Sequence, residues 1–146
     1  MSGRRLVTVF LGVIVLLGAV LVYMQYFAFY DRVSGVQTLA DYGAEIRVTE
    51  YEGLDATSSP LKLRGCFRTD PAAFAQIDAP ATATPLTPPP WFRCFDAEAL
   101  AADLDAGRAE AHLLSADLPD GFDVLAAVYP DGRGYLWRQL GARYTD

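Results

Sequence analysis

Between Arg5 and Asp31 the chain carries no charged residue, and its stretch "LVTVFLGVIVLLGAVLV" (residues 6–22) is almost wholly apolar. A helix needs about 20 such residues to cross the hydrocarbon layer of a bilayer. The β-branched valines, with Gly12 and Gly18, would weaken a helix in water. In lipid the cost of bare backbone groups imposes one. Arg4 and Arg5 precede the run, and only Arg32 lies close after it, beside Asp31. Basic residues are retained on the cytoplasmic side, so the N-terminus is expected inside and the rest outside. "YMQYFAFY" (residues 23–30) puts aromatic rings at the outer end, where they suit the headgroup layer.

A cleaved signal peptide is the competing reading. Its apolar region usually spans roughly 7 to 15 residues before an A-x-A site, and this run is longer and lacks the site. No cysteine stands near its end for lipoprotein processing. The expected organisation is therefore an anchor over residues 1–30, in the membrane through residues 6–30. A tether over 31–43 and a periplasmic domain over 44–146 follow it, on a bacterial inner membrane.

A chain of 146 residues has room for one such domain. It holds 12 Lys and Arg against 18 Asp and Glu, and two of the 12 lie before the anchor, so the outer part is more acidic than the overall −6. That balance repels nucleic acid at long range, and no nucleic-acid partner is expected.

"EIRVTEY" (45–51) alternates, with Ile46 and Val48 on one face, and reads as a half-buried strand. "EGLDATSSP" (52–60) is turn chemistry. "LKLRGCFR" (61–68) alternates again, with Leu61, Leu63 and Phe67 opposite Lys62, Arg64, Cys66 and Arg68. "TDPAAFAQI" (69–77) reads as a short helix with Thr69 or Asp70 as its cap and Pro71 in its first turn. The tract "DAPATATPLTPPP" (78–90) can build neither ladder nor helix. Asp96 caps the main helix, "AEALAADLDA", which Gly107 stops. "EAHLLSA", "FDVLAAVY" and "GYLWRQL" form a meander whose turns are Pro119-Asp120-Gly121 and Pro130-Asp131-Gly132. The expected fold is α+β: an N-terminal transmembrane helix, then a small antiparallel sheet of four or five strands with one main packed helix.

The chain has two cysteines, each followed by a phenylalanine: Cys66-Phe67 and Cys94-Phe95. An oxidising compartment and a small core both favour a structural disulfide. It would close the loop that holds the short helix and the proline tract, for roughly 3 to 4 kcal/mol in the chain-entropy model. Extended backbone would turn Phe67 and Phe95 to the opposite side, into the core. Free thiols, a redox pair tuned by Lys62, Arg64, Arg68 and Arg93, and a metal role are the other readings. No C-x-x-C is present, and His112 is the single histidine, so no metal ligand set and no cofactor is expected.

His112, expected on the polar side of its strand, finds no nucleophile: there is no G-x-S-x-G, and Ser58-Ser59 belong to a turn. No catalytic residues are assigned. "DGRG" (131–134) is a hairpin turn rather than a phosphate loop, and "PLTP" (85–88) matches P-x-x-P only weakly. Trp91, straight after three prolines, is expected at the surface, and Trp91, Arg93, Arg64 and Arg68 form the expected contact surface.

The order "YFAFY", "SSPLKLRGCF", "PLTPPPWFRCFDAEAL" and "DGRGYLWRQL" resembles a family of short, single-span alphaproteobacterial proteins of unknown function. Its members are sometimes labelled histidine kinases, but this chain shows no dimerisation helix with a phosphoacceptor histidine and no Gly-rich ATP lid. The resemblance implies a single-span protein and assigns no functional residue. The expected function is a membrane-anchored periplasmic interaction or accessory module, with an envelope protein as partner. A periplasmic thiol-redox protein or other small enzyme, and a ligand-sensing domain, are the alternatives.

Overall fold

A computed structural model describes residues 2–144; the last two positions of the domain expected over 44–146 lie outside them. Helix α1 (Gly3–Tyr26) is followed by β1 (Asp31–Ser34), β2 (Thr49–Asp55), β3 (Arg64–Arg68), α2 (Ala97–Asp105), β4 (Glu110–Ser115), β5 (Phe122–Val128) and β6 (Arg133–Leu140). Short 3-10 turns stand at Ala40–Tyr42, Pro60–Lys62, Pro71–Phe74 and Ala142–Tyr144. The strands form one antiparallel sheet in the order β1-β2-β3-β6-β5-β4.

The architecture is α+β with one packed helix, but the sheet has six strands rather than four or five. The added strand comes from residues 31–43, read from sequence as a tether. "DRVS" has little strand propensity of its own; pairing with β2, Asp31 opposite Asp55 and Val33 opposite Gly53, makes it a strand. Leu39 from the same segment is fully buried.

β2 also lies further along than the alternation suggested. Ile46 and Val48 are buried as the pattern requires, yet residues 45–48 form no ladder and pair through an isolated bridge from Thr38 to Arg47. The ladder runs on through residues 52–55, where a turn was expected, because Gly53 is a packing glycine. A Cβ on Gly53 would fall 2.6 Å from the Tyr51 ring, and one on Gly65, its partner across the ladder, 2.6 Å from the Tyr51 hydroxyl. The tyrosine lies flat over both and stacks on Phe67.

The short helix expected over 69–77 is a 3-10 turn in which the Asp70 carboxylate accepts from the Ala72 amide. Asp96 caps α2 by accepting from the Ala99 amide at 3.0 Å, and Gly107 leaves the helix with φ +77. The β5–β6 turn closes with Gly132 at φ +95, a conformation that residues with a Cβ avoid.

Each face of the sheet carries its own core. On one side Leu39, Ile46, Val48, Leu63, Phe67, Phe74, Val124 and Leu136 pack together. On the other, Leu54, Phe92, Phe95, Leu100, Leu125, Tyr129 and Trp137 pack beneath α2 and the segment before it. Phe67 and Phe95 are therefore both buried, but on opposite faces. β5, an interior strand between β6 and β4, is buried at every position from Val124 to Val128, so it shows a continuous apolar run in place of alternation.

Candidate functional site

The site is the place where the apolar helix meets the sheet. α1 ends at Tyr26 and four residues later β1 begins. Phe29 makes that turn with a left-handed backbone, φ +67. Trp91 arrives at the end of the proline tract: Pro88-Pro89-Pro90 stiffen its approach, and a turn from the Phe92 amide to the Pro89 carbonyl (3.0 Å) fixes its direction. Its indole N–H donates to the Tyr26 carbonyl at the end of α1. The ring stacks on Phe27, with centroids 6.0 Å apart and planes 9° from parallel, and meets Tyr30 edge-on.

Two cations join the rings. The Arg32 guanidinium lies 4.4 Å from the Trp91 centroid, and the Lys62 ammonium 4.7 Å from that of Tyr30. Lys62 is held in place by the 3-10 turn Pro60–Lys62, where the Ser59 hydroxyl accepts from the Leu61 amide. A hollow of about 300 Å³ opens between Tyr26, Phe27, Pro90, Trp91 and Arg93. Arg93 is exposed and makes no ion pair or hydrogen bond among the described residues.

The disulfide sets this geometry. Cys66 on β3 is bonded to Cys94, with their Cα atoms 6.3 Å apart, inside the reach such a bond requires. Trp91 stands three residues from Cys94, so the bond tethers the indole's segment to the middle of the sheet. Phe95 anchors the other side, edge-on to Tyr135 and Trp137.

The four residues expected to form one contact surface do not. Trp91 and Arg93 share the hollow, and Trp91 is half-buried against the chain's own helix rather than free. Arg64 is buried, which corrects its assignment to the surface. Its guanidinium donates to the carbonyls of Leu61, Leu63 and Leu86 at 2.5, 2.6 and 2.7 Å. Burial pulls its pKa down to about 10, so it stays cationic at neutral pH. Arg68 sits at the other end of β3 and faces Glu50 at 3.8 Å.

Arg64 and Gln139 together hold the proline tract. The Gln139 side-chain oxygen accepts from the Thr84 amide and the Trp137 indole at 2.8 and 3.0 Å, while its nitrogen donates to the Thr82 carbonyl at 2.9 Å. Residues 78–90 lack regular structure, as their composition requires, yet they are pinned to the sheet. Nothing in the local sequence marked Gln139 for this role, because Thr82 and Thr84, which it holds, lie more than fifty positions away. Phe27, Arg32 and Lys62 were also missed, although the aromatic cluster at the end of the apolar run was a signal for the first.

His112 is buried, not on a polar face. It packs against Phe74 with Nδ1 3.1 Å from the Ile77 carbonyl, since the 69–77 segment covers that face of the sheet. On the opposite face Tyr129 donates to Asp103 at 2.5 Å, and Arg108 pairs with the same carboxylate at 2.6 Å. The Tyr129 bond, then Arg108, hold Asp103 below the usual carboxylate range, and burial with the Asp103 bond pushes Tyr129 up. This fixed donor and fixed acceptor latch α2 to the end of the β5–β6 hairpin, where Tyr129 follows β5. Among the described residues no three His, Cys, Asp or Glu side chains come together to hold a metal ion.

Residues 33–145 match the family described as "Family of unknown function (DUF6446)". No curated protein and no solved structure matches the chain.

Proposed function

Because the chain belongs to the DUF6446 family of unknown function, which brings no activity with it, we propose from its geometry that it is a membrane-anchored accessory module of the bacterial envelope, acting by contact with other proteins. In this reading α1 is a single span with its N-terminus in the cytoplasm, and the sheet domain stands in the periplasm. The observation that carries it is the state of α1. Its apolar window has a mean hydropathy of 2.8, and none of its residues is buried by the domain. An uncovered apolar cylinder of 24 residues is stable only when something apolar surrounds it.

The junction argues for an anchor that stays. A signal peptide is discarded, whereas here the domain holds the end of the helix through Trp91, Tyr26 and Phe27. The Cys66–Cys94 bond suits an oxidising compartment. Native membranes washed with alkaline carbonate should retain the protein, and a reporter fused after Asp146 should work only if its activity needs the periplasm. Activity of a reporter confined to the cytoplasm would defeat the topology. Co-purification from native membranes names the envelope partner, and recovery of the chain alone would defeat the accessory role.

A further inference from the structure

We propose that the junction of α1 with the sheet is a seat for anionic phospholipid headgroups, with Arg93 and Lys62 taking the phosphates and Trp91 lying on the acyl boundary. The proposal rests on the membrane reading above. Depth comes first. α1 has 24 residues, about 36 Å at 1.5 Å per residue, against a hydrocarbon layer of about 30 Å. Its last turn therefore emerges among the headgroups.

The domain cannot stand away from that layer. Four residues separate α1 from β1, a reach of at most about 14 Å, and Trp91 shortens it by bonding to Tyr26 and stacking on Phe27. The groups held at this depth are Phe27, Phe29, Tyr30 and Trp91 with Arg32, Lys62 and Arg93.

The chemistry of these groups matches a headgroup layer. Phe27, stacked on Trp91, and Phe29, under the Lys62 ammonium, each keep about half of their surface exposed, which water disfavours and the acyl boundary accepts. Among the described residues Arg93, beside them, makes no ion pair or hydrogen bond, and the Ser58 hydroxyl at 3.1 Å is the one polar contact of the Lys62 ammonium. Arg93 also borders a hollow containing Asp96 and Glu98, but the Asp96 carboxylate is engaged in capping α2. The chain as a whole is acidic, so a cluster of cations at this end turns it toward anionic lipid and the remaining surface away.

The test places the full chain in phosphatidylcholine vesicles containing phosphatidylglycerol, with bromine carried on one lipid or the other. Trp137 is fully buried and supplies a constant background, so the quenched emission belongs to Trp91. Bromine near the headgroup end of the chains should quench it and bromine at the chain ends should not; Trp91→Phe should abolish the effect. Brominated phosphatidylglycerol should quench more than brominated phosphatidylcholine, by an enrichment of roughly fivefold for each basic residue engaged. Lys62→Gln with Arg93→Gln should remove that preference while leaving the melting temperature unchanged. Equal quenching by the two lipids, or none, in a chain that still floats with the vesicles overturns the seat and leaves the anchor standing. A chain that does not float overturns the anchor, and the seat with it.

Discussion

The indole N–H of Trp91 donates to the carbonyl of Tyr26, 65 positions earlier, and so caps a helix from outside it. The last carbonyls of any helix lack partners of their own, and a residue of the sheet domain supplies one here. Anchor and domain are joined by this contact as well as by the chain.

Trp91→Ala should leave the sheet folded and loosen the helix end. The Phe27 and Ala28 amides, which donate to the Tyr23 carbonyl, should exchange with solvent faster by about fivefold, as expected for losing about 1 kcal/mol. Trp91→Phe keeps a ring against Phe27 and should restore part of the protection. Hydrogen exchange that is unchanged in Trp91→Ala would show that the contact does not stiffen the junction.

The Cys66–Cys94 bond closes a separation of 28 residues. Cys66→Ser should cost roughly 2 to 5 kcal/mol in chemical denaturation, and Cys94→Ser about the same. The double variant should cost little more, because either change removes one and the same closure. Additive losses would mean that the sulfurs act separately.

Gln139→Leu keeps the side-chain volume but strands the buried Trp137 indole and releases Thr82 and Thr84. The expected loss is about 1 to 3 kcal/mol, with faster proteolytic cleavage inside residues 78–90. Stability that falls without any change in cleavage would show that the tract is held by other contacts, Arg64 first among them.

Asp103, with Asp117 and Asp131, is held below the usual carboxylate range, and it is the one that ties acid stability to α2. Its folded pKa is depressed by Tyr129 and then Arg108, so its contribution is present above the ordinary carboxylate pKa and lost as pH falls through the lower folded value. Asp103→Asn should lower stability at neutral pH and flatten the acid limb of the stability profile below about pH 4. Parallel profiles for the two proteins would exclude the latch.

The parts legible in the sequence are those coded within a few neighbouring residues. The apolar run, the Asp96-capped helix and the β4–β6 meander with its two Pro-Asp-Gly turns stand within a residue or two of where periodicity and turn chemistry put them. The side of the sheet on which a residue is buried was less legible. Alternation assigns one face to water, and here α2 with the proline tract covers one face while residues 36–48 and 71–77 cover the other. Arg64 and His112, placed on polar faces by alternation, are both buried for that reason.

The apolar helix at one end, the two cysteines and the sheet-forming remainder can all be read from neighbouring residues. Uncharged length, cysteine count and period-two patterning are local properties that no partner needs to complete. The joining of residues 31–43 to the sheet, the pinning of the proline tract by Gln139 and Arg64, and the closure of Trp91 on Tyr26 emerge only in the folded chain. Each of these joins segments that are distant or weakly patterned. Their energy comes from burial and hydrogen bonding across the gap, and it exists only once the sheet has brought both sides together.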